Sequence, residues 1–265
     1  MTERTLTGKT ALVTGSTAGI GYAVALGLAR EGARVWINGR TQARVDAALT
    51  NIRRRVTEAS LVGFAGDLGT ADGCQRLIRA LPSVDVLVNN LGIFEAKPFE
   101  EIPDADWLRL FEVNVMSGVR LSRAYLPGMK QRNWGRIVFI SSESAVQIPA
   151  EMVHYGMTKT AQAAIARGLA EGCAGTNVTV NSVLAGPTAS EGVTTFVADL
   201  ARKQNITPAE FEKQFFQTMR PTSLLKRFLK PEEVASVVVY VCSPEASAVN
   251  GAAVRAEGGV VKGVL

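Results

Sequence analysis

The stretch Thr14-Gly15-Ser16-Thr17-Ala18-Gly19-Ile20-Gly21 decides the fold. It follows a short apolar run, Ala11–Val13, and opens a segment of helical periodicity over about 19–31. A glycine-rich turn placed between a strand and a helix reads as the phosphate-binding turn of a dinucleotide site. Gly15 lets the chain turn sharply, Gly19 lets backbone approach a pyrophosphate, and Gly21 lets the helix pack closely on the strand. The unpaired N–H groups at the helix start then point at the phosphates, with Ser16, Thr17 and Ile20 completing the loop around them. Just before it, Gly8-Lys9-Thr10 looks like the tail of a Walker A motif. The leading glycine is missing and the tripeptide precedes the strand, which excludes an ATPase reading.

Outward from this turn, nearly continuous apolar runs alternate with helical segments. The strand candidates are Ala11–Val13, Val35–Ile37, Leu61–Phe64, Val84–Val88, Ile137–Ile140 and Val178–Val183. Runs without polar alternation suit parallel strands covered by helices on both faces. Helices are predicted over about 19–31, 41–58, 70–80, 104–131 and 152–173. The fold class expected is therefore α/β, a doubly wound parallel sheet of the Rossmann type, with residues 1–265 forming one domain. After Val183 the alternation lapses for about 35 residues until the helix that Pro231 starts. This insert, about 188–227, carries Phe196, Phe211, Phe215, Phe216 and Met219. It follows the carboxyl end of a strand, where open α/β sheets bind ligands, so it reads as a helical substrate lid. A helical pair packed on the core or on a partner subunit is the alternative.

Composition narrows the function classes. The chain of 265 residues is 47% hydrophobic and 20% charged, with a net charge of +5. That is ordinary globular composition, which excludes disorder. The charge is small and scattered, and its longest basic run, Arg53-Arg54-Arg55, reads as a solvated helix face, so no nucleic acid is expected as a partner. Cys74, Cys173 and Cys242 lie far apart with no CxxC pair, so neither a metal site nor a disulfide framework is expected. Met1-Thr2-Glu3-Arg4 begins no signal peptide, and the longest apolar run, Val237–Cys242, is too short to span a bilayer. A cytoplasmic protein is the expectation.

Two further places carry chemistry. The second strand ends at Asn38-Gly39-Arg40, where an NAD site would place a carboxylate on the ribose hydroxyls. An arginine there suits a 2′-phosphate, so NADP (NADPH) is predicted over NAD. In Tyr155-Gly156-Met157-Thr158-Lys159 the phenol and ammonium share one helix face. A nearby ammonium favours phenolate and lowers the tyrosine toward working pH. Ser142, at the end of the fifth strand, offers a hydroxyl to a substrate carbonyl.

Taken together, these motifs resemble the short-chain dehydrogenase/reductase family in its single-domain, 3-oxoacyl-[acyl-carrier-protein] reductase-like branch, over about residues 7–260. The glycine loop matches its cofactor turn and Asp67-Leu68 its adenine contact. Asn89-Asn90-Leu91-Gly92 is similar to the Asn-Asn-Ala-Gly after the fourth strand, with Asn90 and Gly92 beside the cofactor. Asn114, Ser142, Tyr155 and Lys159 match the catalytic tetrad in order and spacing. Asn181 through Thr188 resembles the segment that brings Gly186, Pro187 and Thr188 to the nicotinamide, and Arg255–Gly259 the terminal strand end.

The resemblance implies that Tyr155 is the general acid or base and that Lys159 binds the nicotinamide ribose and depresses the tyrosine. It implies that Ser142 orients the carbonyl and that Asn114 holds a water linking Lys159 to solvent. It further implies a homotetramer or homodimer built on helices 104–131 and 152–173. Leu91, Ala185 and Glu257 depart from the pattern, where Ala, Pro and Asp are usual; Leu91 adds bulk near the cofactor and Ala185 loosens its turn. His154, one position from Tyr155, is read as a substrate contact or a helix-surface residue.

Phe94, Val146, Ile148 and Met152 would make a largely apolar substrate wall, suited to a small-molecule carbonyl. Arg202, Lys203, Lys213, Arg220, Lys226 and Arg227 in the insert could dock an acyl carrier protein or a coenzyme A thioester, which makes a 3-oxoacyl substrate an option. Asp199, Glu210 and Glu212 among them suit plain solubility instead. A catalytically silent NADP-sensing protein of the same fold is the rival, and it would be expected to lack Tyr155 or Lys159.

Overall fold

The computed structural model describes residues 4–264, and the backbone alone at Phe196, Leu200 and Lys203. The readings placed on Met1 to Glu3 and on the side chains of Phe196 and Lys203 therefore lie outside the described residues. Seven strands form one parallel sheet: β1 (Thr10–Val13), β2 (Arg34–Gly39), β3 (Leu61–Ala65), β4 (Val86–Asn89), β5 (Gly135–Ser142), β6 (Val178–Ala185) and β7 (Ala253–Ala256). Their spatial order is β3-β2-β1-β4-β5-β6-β7. Strand order reverses between β1 and β4, and open α/β sheets bind ligands at the carboxyl ends beside such a switch.

The helices are α1 (Gly19–Arg30), α2 (Gln42–Arg55), α3 (Ala71–Ala80), α4 (Asp104–Phe111), α5 (Ser117–Gln131), α6 (Val153–Glu171), α7 (Glu191–Lys203), α8 (Pro208–Thr218) and α9 (Pro231–Cys242). Side chains alternate along each strand between two core layers. Ala11 and Val13 of β1, Val86 and Val88 of β4, and Val138 and Ile140 of β5 join α1 and α9 in one layer. Leu12, Leu87, Ile137 and Phe139 enter the other, against α3, α5 and α6. Every residue of β5 and β6 is buried, the polar Thr179, Asn181 and Ser182 of β6 included, because helices cover both faces of the sheet. Each fully buried leucine in these layers contributes about 2 kcal/mol.

The expected single helix over 104–131 is interrupted. Residues Glu112–Met116 form a π turn between α4 and α5. It frees the backbone carbonyl of Asn114 to accept from Gln162 Nε2 at 2.6 Å, across to α6. Single π turns of this kind cluster at functional sites.

The insert is a helical pair. Thr207 and Glu210 form a reciprocal cap at the start of α8. Val197 and Ala201 of α7 pack with Phe211, Phe215 and Phe216 of α8 in an aromatic cluster of their own. Both ends of the insert are tied together, since Thr188 bridges Leu229 and Ala189 N–H donates to the Leu229 carbonyl at 2.8 Å. Among the described residues no helix is long and apolar enough to cross a membrane.

Candidate active site

Four strand ends and the insert enclose a cleft of about 640 Å³. At one end lies the glycine turn. Gly15 and Gly19 have φ of +60° and +57°, the left-handed region that glycine enters without strain. The turn is fixed from beneath: Asn90 Nδ2 donates to the carbonyls of Thr14 and Gly15, and Thr14 Oγ1 accepts from the N–H groups of Asn90 and Leu91. A Cβ on Gly21 would lie 2.4 Å from Asn90 Nδ2 and 2.6 Å from the Gly15 carbonyl, so the helix can approach the turn only because position 21 carries none. Ala18 stands at the cap of α1 without a side-chain cap, unlike Thr70 of α3 or Thr207 of α8. Ala18, Gly19, Ile20 and Gly21 line the cleft. An uncapped helix start on a glycine turn fits a pyrophosphate, which would take the free amide groups.

The other residues expected to meet a dinucleotide divide. Gly92, Gly186, Pro187 and Thr188 line the cleft. A Cβ on Gly186 would sit 2.5 Å from the Glu257 carbonyl, so the turn after β6 presses on the end of β7. Arg40 is exposed between β2 and α2, in the stretch Asn38-Gly39-Arg40-Thr41 that holds no carboxylate. Asp67 is exposed at the end of β3 and accepts from Gly69 N–H, while Leu68 is buried. Ser16 is turned inward: its hydroxyl donates to the Val13 carbonyl and accepts from Asn38 N–H, and its own N–H donates to the Asn38 carbonyl. It holds the turn to β2 and offers no polar side-chain atom to a ligand. The turn at Ala185 is firm, with Gly186 N–H bonded to Ala256 O. Leu91 packs toward the second core layer.

Ser142, Tyr155 and Lys159 line the middle of the cleft, and Asn114 is buried behind them. The π turn aims Asn114 at the loop after β4, where Oδ1 accepts from Ile93 N–H at 2.8 Å and Nδ2 donates to Ile93 O and Thr158 Oγ1. Lys159 Nζ donates to Ile140 O at 2.8 Å and to Gln162 Oε1 at 3.1 Å, and stands 5.5 Å from the centre of the Tyr155 ring. Burial pushes its ammonium down to about 8, with Glu143 opposing. Burial pushes the Tyr155 phenol well above its usual range; the Glu143 carboxylate adds to this, and the Ser142 hydroxyl and Arg220 counter it. Burial thus outweighs the lowering expected at the phenol, and Lys159 Nζ is held over the ring by backbone and amide oxygens.

Sequence reasoning missed Glu143. It begins the buried turn Glu143–Ala145 directly after Ser142, whose hydroxyl donates to its carboxylate. Its other oxygen accepts from Arg220 Nε at 2.8 Å. Arg220, expected among surface charges of the insert, is only 8% exposed and also reaches Glu151 at 3.2 Å. The visible signal was an acid standing three residues beyond the apolar run Ile137–Ile140. Of the other insert cations, Arg227 pairs with Glu233, Arg202 with Asp199, and Lys226 donates to Pro221 O. His154 is neither a surface residue nor part of the cleft. It is fully buried with its ring against Trp107 at 5.8 Å, since neighbouring helix positions diverge by about 100°. Burial pushes its pKa down.

Known proteins resemble the chain over nearly its whole length. The family model for the short chain dehydrogenases matches residues 9–201. The Bacillus subtilis oxidoreductase YvaG is 52% identical over 98% of both chains. The D-beta-hydroxybutyrate dehydrogenase of Cupriavidus necator is 33% identical over 97% of this chain and 99% of its own. The L-sorbose reductase of Gluconobacter frateurii, solved with NADPH and L-sorbose, superposes with a TM-score of 0.91 at 28% identity, covering 99% of this chain and all of that one. With its seven-stranded parallel sheet and its match to the family model, the chain is an oxidoreductase that belongs to the short chain dehydrogenase family.

Proposed function

We propose that the cleft interconverts a carbonyl and a secondary alcohol with NADP(H), and that Tyr155 is its general acid and base. The observation that carries this reading is the meeting of Tyr155, Lys159 and Ser142, backed by buried Asn114, in a cleft continuous with the uncapped glycine turn. A bound nicotinamide supplies or accepts the hydride. In reduction the Tyr155 hydroxyl gives its proton to the carbonyl oxygen; in oxidation it takes the proton back. Lys159 lies against the ring and, when charged, favours the phenolate. Ser142 holds the carbonyl oxygen beside Tyr155 once its one hydroxyl proton turns from the Glu143 carboxylate to that oxygen. Asn114 ties the loop after β4 to α6 and would anchor a water toward Lys159.

Arg40 supports NADP over NAD, as a guanidinium beside a strand end that lacks a carboxylate. The NADPH-bound neighbour supports the same preference. The insert acts as a lid of the single domain, since Val193, Val197, Phe211 and Phe215 wall the cleft. These apolar walls favour a 3-oxoacyl chain as a second reading of the substrate. The sorbose-bound neighbour favours a polyhydroxy ketone. Leu108, 69% exposed on α4, and Phe99 beside it suit pairing with a second copy through α4 to α6.

The test is NADPH consumption, followed by its near-ultraviolet absorbance, against ketoses, simple ketones and 3-oxoacyl thioesters, with NADH in parallel. Turnover should fall at least about a thousandfold in Tyr155→Phe while NADPH affinity stays within about threefold. Residual turnover near wild type removes Tyr155 from its role. NADPH binding with no turnover across the panel would favour the silent sensor.

A further inference from the structure

Beyond the reacting centre the cleft ends in a cluster of buried charge. β5 delivers Ser142 and then Glu143, which is 4% exposed and lines the cleft. Arg220, directly beyond α8, lies between Glu143 and Glu151, donating to both and to the Met219 carbonyl, with its guanidinium 5.7 Å from the Phe215 ring centre. Glu151 is more open, with 37% of its side chain exposed, and lines the same cleft. Two carboxylates against one guanidinium leave the cluster net negative. The other acids on the cleft wall are balanced, Glu95 by Arg109 and Lys97 and Glu191 by Arg44.

Packing alone does not account for this arrangement. Buried ion pairs are often no more stabilising than apolar side chains of the same volume, and the insert already has an aromatic cluster to hold it. Its position accounts for it better. The Glu143 carboxylate bonds directly to Ser142 Oγ, so a group seated on Ser142 and Tyr155 has its neighbouring carbon within reach of that carboxylate. Arg220 is already neutralised by two acids and is not available to receive a substrate carboxylate.

We propose that Glu143, Arg220 and Glu151 form the substrate-recognition end of the cleft. Their carboxylate oxygens accept a hydroxyl carried on the carbon beside the reacting carbonyl, and their net negative charge turns away substrates that bear a carboxylate. The ligand class is the uncharged hydroxy ketone or its vicinal diol. This rests on the reading that the carbonyl sits between Ser142 and Tyr155. A site built to hydrogen-bond a hydroxyl discriminates strongly against an analogue without one, because its buried polar groups are left unpaired.

Three four-carbon probes test it: 3-hydroxy-2-butanone, butanone and 3-oxobutyrate. Wild-type kcat/KM should fall in that order, by about a hundredfold from first to last. Binding of the same probes to the NADPH complex of Tyr155→Phe, measured by calorimetry, reads the same order without turnover. Glu151→Gln keeps the Glu143–Arg220 pair and should raise 3-oxobutyrate relative to 3-hydroxy-2-butanone about tenfold. Glu143→Gln should erase the preference for the hydroxy ketone over butanone. It should also move the pH limbs of Tyr155 and Lys159 downward, since the Glu143 charge holds both up while Arg220 opposes it at Tyr155.

A cluster that merely clamps the insert predicts an equal loss for all three probes, whatever the pH limbs do. That result, or equal binding of the three probes in Tyr155→Phe, overturns the proposal. Turnover surviving in Tyr155→Phe overturns the underlying reading instead, so the two failures are separable.

Discussion

The two ends of the cleft are built from different materials. The cofactor end consists of glycines, backbone amides and the half-buried Asn90 side chain bracing them from below. The substrate end consists of ionised side chains lodged among aromatic rings. Backbone amides carry no titratable proton and hold their place through close packing. The charged end must be kept in register by long side chains from three separate segments. One end should therefore respond to volume and the other to pH.

The largest expected effect lies where the two ends meet, at Lys159. Its folded value of about 8 is below the ordinary 10.5, because burial penalises the ammonium. Between those values the unfolded chain binds more protons than the folded one, so stability rises with pH across that window. Lys159→Met has no such proton to lose. The stability of wild type relative to this variant, from denaturant melts at pH 8 and 10.5, should rise by up to about 3 kcal/mol. A flat difference would mean that the ammonium is not buried in solution.

Gly21→Ala probes the other end. The new methyl would collide with Asn90 Nδ2 and the Gly15 carbonyl, and displacing them should destabilise by about 1–3 kcal/mol. NADPH affinity should drop at least about tenfold, by the same factor at pH 6 and pH 9. A marked pH dependence would erase the distinction between the ends. The smallest effect belongs to the seam between them, where Arg44 at the start of α2 pairs with Glu191 at the start of α7. Both side chains are more than half exposed. Arg44→Ala should change the melting free energy by less than about 0.5 kcal/mol, falling toward zero in high salt.

The same division explains what could be read from the sequence. The glycine turn depends on backbone geometry at fixed local spacing, so its residues announce it. The central strands β4 and β5 were legible by their apolar runs, although β4 begins at Val86 instead of Val84, while β6 carries Thr179, Asn181 and Ser182 within its span. The polar ends Ser141 and Ser142 hid the last turn of register in β5. Glu143 and Arg220 meet across 77 positions, and no local pattern encodes that meeting. Arg220 therefore reads as one more surface cation until the fold closes over it. His154 shows the converse: it adjoins Tyr155 in sequence but faces α4 in the fold. Ser16 belongs to the legible motif, yet its hydroxyl faces β2.

The π turn at Glu112–Met116 has the widest consequence for how such a chain tolerates change. A π turn accommodates one residue more than an ideal helix would over the same rise. The apolar spacing on either side is close enough to helical that 104–131 reads as one uninterrupted element. Deleting a single residue there would let α4 run straight into α5 and return the Asn114 carbonyl to the helix ladder, away from Gln162. Such a shortened chain would gain helical regularity and lose the tether between the loop after β4 and α6. Length at this one turn is thus constrained as well as composition: the loss of a residue would leave α4 and α5 in place as one regular helix and dissolve the contacts that Asn114 makes.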